Sequence, residues 1–258
     1  MSKTSKVLII MILSIGGYYI LNELFYKDLR VFVNRVFLNY ELGYLITQLI
    51  IGLPLFIGVL IINQPKLFFE SLGLNKSIIK GILFSFTATL PMLIGYFIVF
   101  SFNYEVTWGQ LFRGAIIAAL IEELFFRGIL FGQVYRFTKL GFIPSILYGA
   151  IIFASFHLYQ SNDFLTLIGI FATTFLGAIL FAWTYIEWRN NLWVPIFLHL
   201  FMNLFWMLFS AGENALGGVY ANVFRVSTIL LIVVLTIVYK KKKGHKLEIN
   251  KSTIWIKK

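Results

Sequence analysis

A chain of 258 residues that is 59% hydrophobic and only 13% charged, with a mean hydropathy of +0.85, lacks the polar residues needed to cover a water-soluble surface. It has no cysteine, which excludes a disulfide framework, a thiolate metal site and a thiol nucleophile. The net charge of +11 is uneven: eight lysines lie between Lys240 and Lys258, a polybasic segment of the kind drawn to anionic lipid. No nucleic-acid partner is expected, because no soluble domain is left to present a binding surface.

Lys3 and Lys6 precede an apolar run at 7–25. No small-residue cleavage site follows it, so it reads as a membrane span and not as a signal peptide. A crossing takes about 20 mostly apolar residues. Seven more candidates follow, at 43–62, 78–100, 112–135, 142–157, 164–188, 192–209 and 223–239. The fifth is short, and the eighth holds Arg225 near its start. The expected architecture is an all-α, polytopic membrane helix bundle of about eight transmembrane helices. It divides into a membrane domain at 1–239 and a basic cytoplasmic tail at 240–258.

Eight spans put both termini on one side, and the positive-inside rule assigns that side to the cytoplasm. Lys66, Lys76, Lys80, Arg136, Lys139 and Arg189 then join the terminal lysines inside, while the loops after spans three, five and seven carry no Lys or Arg. Lys27, Arg30 and Arg35 break the pattern, and an amphipathic interfacial segment at 28–38 would account for them. Trp183, Trp188 and Trp193 bracket the loop between spans six and seven, where an aromatic belt would sit.

An ionisable group inside a span costs roughly 2.5–3.5 kcal/mol at the helix centre and is a functional-site hypothesis by default. Span four reads Ile121-Glu122-Glu123-Leu124-Phe125-Phe126-Arg127. Glu123 and Arg127 are four apart and face each other on a helix. Glu122 projects about 100° away and is left without an intrahelical partner, a carboxylate available as a general base. A purely structural ion pair is the alternative for Glu123 and Arg127. It is compatible with chemistry at Glu122, because one arginine does not easily satisfy two carboxylates.

Phe153 and His157 share a face at the end of span five, and His199 and Asn203 share a face in span seven. Taken singly, His157 reads as an interfacial residue, and His199 with Asn203 as interhelical hydrogen-bond glue. Taken together with Glu122 they supply a base, a proton shuttle and hydrogen-bond donors, the parts needed to hydrolyse an amide. The third histidine, His245, belongs to the solvated tail.

Glu122-Glu123-x-x-x-Arg127, Phe153-x-x-x-His157 and His199-x-x-x-Asn203 resemble, in order and on successive helices, the EExxxR, FxxxH and HxxxN motifs of the type II CAAX prenyl protease and bacteriocin-processing (Abi) membrane proteins. The resemblance covers about 109–209. It implies a glutamate-dependent intramembrane endopeptidase with an eight-helix core. By carry-over, Glu122 and His157 activate a water, His199 and Asn203 stabilise the oxyanion, and Glu123, Arg127 and Phe153 organise the site. Bacterial relatives are associated with bacteriocin self-immunity and with processing of secreted or signalling peptides. The family was once read as metalloproteases, and zinc is the metal that Glu/His clusters invite. With no HExxH and few ligands at zinc spacing, no metal or other cofactor is expected.

Two other classes compete. A non-catalytic immunity factor or membrane scaffold would tolerate loss of Glu122 and His157. A proton-coupled transporter would use Glu122 as a carrier site, but paired half-repeats with broken helices are not evident.

Overall fold

The computed structural model describes residues 1–257, so Lys258 of the lysine tail lies outside the described residues. Each expected apolar run is helical. The chain runs through α1 (Lys3–Phe37), α2 (Tyr40–Ile51), α3 (Leu53–Ile62), the short α4 (Phe68–Leu72) and α5 (Ile78–Val99). A composite helix at 108–137 follows, made of α6 (Trp108–Leu111), π1 (Phe112–Ile117), α7 (Ala118–Glu122), π2 (Glu123–Phe131) and α8 (Gly132–Phe137). Then come α9 (Phe142–Ser155), α10 (Phe164–Glu187), α11 (Trp193–Leu208) and α12 (Val219–Lys242). Among the described residues there is no strand, only an isolated bridge between Leu140 and Ile256.

Five helical segments are long and apolar enough to cross a membrane, and a sixth crossing results if α2 and α3 form one bent span. The protein is therefore an all-α polytopic membrane bundle. The composite helix is its centre: every residue of π2 is buried, as expected for a segment apolar nearly all round. It is packed by α3, α9, α10 and α11.

Two local expectations are corrected. The run at 43–62 is not one straight helix but bends by 47° between α2 and α3. Pro54 lacks the N–H that would continue the ladder, and a Cβ at Gly52 would run into the Phe125 ring. Nor is 28–38 a separate interfacial segment. It continues α1, whose 35 residues reach about 52 Å at 1.5 Å per residue, well beyond a hydrocarbon core of about 30 Å. Arg30 is tucked into the elbow between α1 and α2. Its guanidinium lies 4.2 Å from the Tyr40 ring centre and donates to Asn34 Oδ1 and the Tyr40 carbonyl.

Both chain ends lie at the same end of the bundle. Lys139 N donates to Thr4 Oγ1 at 3.3 Å, and the tail folds over residues 139–143. Lys240, grouped by sequence with the solvated polybasic tail, is instead buried within α12 and pairs with the buried Glu187 at 2.5 Å. A buried ammonium requires such a carboxylate.

Candidate active site

The composite helix changes from α to π winding at the glutamate pair. A π turn closes on i→i+5, is rare, and often marks functional sites. Side chains reach backbone carbonyls in both π segments: Asn203 Nδ2 donates to Gly114 O at 2.9 Å, and the Tyr148 hydroxyl donates to Leu130 O at 2.6 Å.

Glu123 and Arg127 pair as the spacing predicts. Both side chains are fully buried, with Arg127 Nη1 3.0 Å from Glu123 Oε1. The guanidinium nitrogens find no aligned acceptor, so the contact is an ion pair without hydrogen-bond geometry. The faces of the guanidinium are covered instead: its carbon lies 4.3 Å from the Phe153 ring centre and 5.4 Å from that of Phe181. Aromatic faces attract a desolvated cation at such distances. Phe153, the first residue of its motif, therefore serves as the platform under Arg127.

α11 turns His199 into the same cluster. Its Nδ1 is 2.8 Å from Glu123 Oε1, and its Nε2 is 3.9 Å from Glu122 Oε2. Phe181 stacks on the imidazole with ring centres 5.4 Å apart. Glu123 accepts the Nδ1 proton, which leaves Nε2 as the nitrogen facing Glu122, the logic by which a carboxylate orients a catalytic histidine. Glu122 has no partner on its own helix. Its side chain is 30% exposed, while its Oε2 is buried and accepts no hydrogen bond.

His157 lies just past α9. Its Nδ1 donates to the Phe153 carbonyl at 2.8 Å, and the two rings are 4.6 Å apart. Both motif histidines are thus held through Nδ1 with Nε2 free. No hydrogen bond or ion pair joins His157 to either glutamate; the histidine facing Glu122 is His199. His157 reaches the cluster through Phe153, which touches Arg127. Asn203 commits one N–H to Gly114 O and keeps a second. We expect Asn203→Ala to lower the thermal stability of the purified protein by about 1 kcal/mol, the size of an interhelical polar contact in membranes. An unchanged melting temperature would refute that bond.

Sequence reasoning missed three contributors. Phe181 carries no polar signal. Tyr18 of α1 packs edge-on against Phe125 of π2, with ring centres 5.7 Å apart, and the hydroxyl of Tyr44 in α2 accepts Gln48 Nε2 at 3.0 Å. The pair Tyr44 and Gln48 was detectable, being two polar residues four apart on an apolar helix, the pattern that singles out His199 and Asn203.

Fold and site together define the class: a polytopic membrane protein with a Glu–His–Glu cluster inside its central helices. Residues 104–205 match the family model described as Rce1-like, Type II CAAX prenyl endopeptidase Rce1-like, and the resemblance read from the three motifs holds for this segment. The chain is 36% identical over 94 residues to "Putative membrane peptidase YdiL" of Bacillus subtilis (strain 168), covering 35% of this chain and 33% of that protein. It is 32% identical over 104 residues to "Membrane-embedded CAAX protease MroQ" of Staphylococcus aureus (strain USA300), covering 38% of each. The matches thus span little more than a third of these relatives' length. No solved structure matches.

Proposed function

We propose that the chain is an intramembrane endopeptidase that hydrolyses a peptide bond in a membrane-associated peptide or protein tail, with secreted or signalling peptides as the substrate class. The observation that carries this reading is the 3.9 Å separation between Glu122 Oε2 and His199 Nε2. Two hydrogen bonds of about 2.8 Å meeting at one water span that distance at roughly a right angle, so both groups can hold the same nucleophile.

Glu122 takes a proton from this water as the oxygen attacks the scissile carbonyl, and the carbonyl electrons move onto its oxygen. The second N–H of Asn203 donates to the resulting oxyanion, and His199, whose Nδ1–H is held by Glu123, joins it through Nε2 when the imidazole carries both protons, the roles the resemblance implies. The proton held by Glu122 passes to the departing amine as the C–N bond breaks. The free Nε2 of His157 is the second proton carrier. Glu123, Arg127 and Phe153 hold His199 in place.

On this reading the chain works in a bacterial cell membrane. The charge count puts the end that carries both termini in the cytoplasm. Cleavage of membrane-anchored candidate peptides by the purified protein in vesicles, with the new termini read by mass spectrometry, tests the activity. If His199→Ala cleaves as fast as wild type, the assignment falls. An immunity factor or scaffold, the alternative reading, would bind its target equally well with Glu122 and His157 replaced.

The proposed steps use no metal. Glu122 and Glu123 meet His199 through different ring nitrogens, Nε2 and Nδ1, so the three side chains do not converge on one point as a ligand set. We expect a chelator to leave cleavage within twofold of its starting rate, and elemental analysis to find no stoichiometric zinc. A loss of activity restored by added zinc would overturn the water-only scheme.

A further inference from the structure

The lysine-rich tail is a folded strap. Glu187, buried at the end of α10, accepts from Lys240 Nζ at 2.5 Å, from Glu248 N at 3.0 Å and from Ile249 N at 2.9 Å. Beyond this anchor the strap crosses the start of α9. That helix has Gly141 at its N-cap position and no side-chain cap, so its first amides need other acceptors. The strap supplies them: Gly141 N, Phe142 N and Ile143 N donate to the carbonyls of Trp255, Thr253 and Ile254 at 2.7, 2.9 and 2.9 Å. A Cβ at Gly141 would collide with this backbone. Lys257 closes the strap, with its N bonded to Lys139 O at 2.9 Å and its ammonium over the Tyr135 ring.

The strap's bonds use its backbone and the side chains of Lys240, His245, Asn250, Ser252, Thr253 and Lys257, and leave a second set of side chains outward. Lys241, Lys242, Lys243, Lys246 and Lys251 are exposed. Beside them Trp255 and Ile256 are 63% and 66% exposed, although both belong to a segment pinned to the helix ends. Clustered lysines next to an exposed indole and an aliphatic side chain, at the level where helices leave the membrane, match the chemistry of an anionic headgroup layer over acyl chains.

We propose that this strap is a docking surface for an anionic phospholipid bilayer, and that lipid contact tightens the cap it places on α9. α9 carries Phe153 and leads into His157, so the bilayer charge acts on the helix that supports Arg127. The surface stands whether or not the bundle cleaves peptides, and its test reads no activity.

The test is hydrogen exchange of the full chain in nanodiscs of phosphatidylcholine alone or with about one third phosphatidylglycerol. Amides 247–256 and 141–143 are expected to exchange at least about tenfold more slowly in the anionic discs, given the attraction each lysine feels near a charged surface. High salt should erase the difference. Replacing the five exposed lysines with Gln should abolish the lipid dependence while leaving the neutral-disc rates of 141–143 unchanged. Glu187→Gln should speed exchange of the strap in both disc types, and unaltered exchange of α5 would show that the bundle stays folded. Equal rates in the two disc types would overturn the proposal. So would the same slowing produced in neutral discs by heparin, which would assign the lysines to a soluble polyanion.

Discussion

Glu122→Gln is expected to lower peptide cleavage by about 10²–10⁴-fold, the contribution of a positioned general base, while the protein still accumulates in the membrane. The substitution keeps the shape of the side chain and removes its proton-accepting charge. Glu122 forms no ion pair on its own helix, and His199 Nε2 stands 3.9 Å from it. Little structure is therefore lost with it. His199, the buried group that faces it, keeps its contact with Glu123 at 2.8 Å when Glu122 is replaced. Rates of membrane-anchored peptide cleavage, compared at equal folded protein, check this. Cleavage within tenfold of wild type would remove Glu122 from the reaction.

Arg127→Met is expected to act in the opposite way, through the fold. Glu123 and Arg127 are fully buried, and removing one member of a buried pair leaves the other uncompensated, at a cost of about 3–5 kcal/mol. Thermal unfolding in detergent should show that loss. The paired change Glu123→Leu with Arg127→Met should recover most of it, since an apolar pair of similar volume removes both charges. Cleavage should not recover in the paired variant, because His199 Nδ1 would lose the carboxylate 2.8 Å away that orients it. Recovery of stability together with full cleavage would reduce the pair to a helix lock. Failure of the paired variant to recover stability would show that the aromatic shell of Phe153 and Phe181 requires the cation.

Hydropathy and local spacing carry a great deal here. Apolar runs of about 20 residues place the helices because a backbone in lipid must satisfy its own hydrogen bonds. The contact between Glu123 and Arg127 follows from residues four apart lying on one helix face. The three motifs single out Glu122, His157, His199 and Asn203 because polar side chains in an apolar helix are costly and so stand out.

Contacts between distant parts of the chain were not open to such reading. His199 lies 76 residues from Glu123, and its insertion between the two glutamates depends on how α11 packs against α7 and π2. The bond that ties Asn203 to Gly114 O spans 89 residues, and the carbonyl it reaches carries no trace in side-chain identity. The tail shows the limit most plainly. By composition it is a run of solvated lysines, yet Glu187 and the uncapped start of α9 draw it into a strap. Periodicity and hydropathy, being local, determined the membrane helices and the chemistry of their residues. Only the tertiary structure decided which groups meet, because buried amides and carboxylates take whatever partner the packing brings within reach.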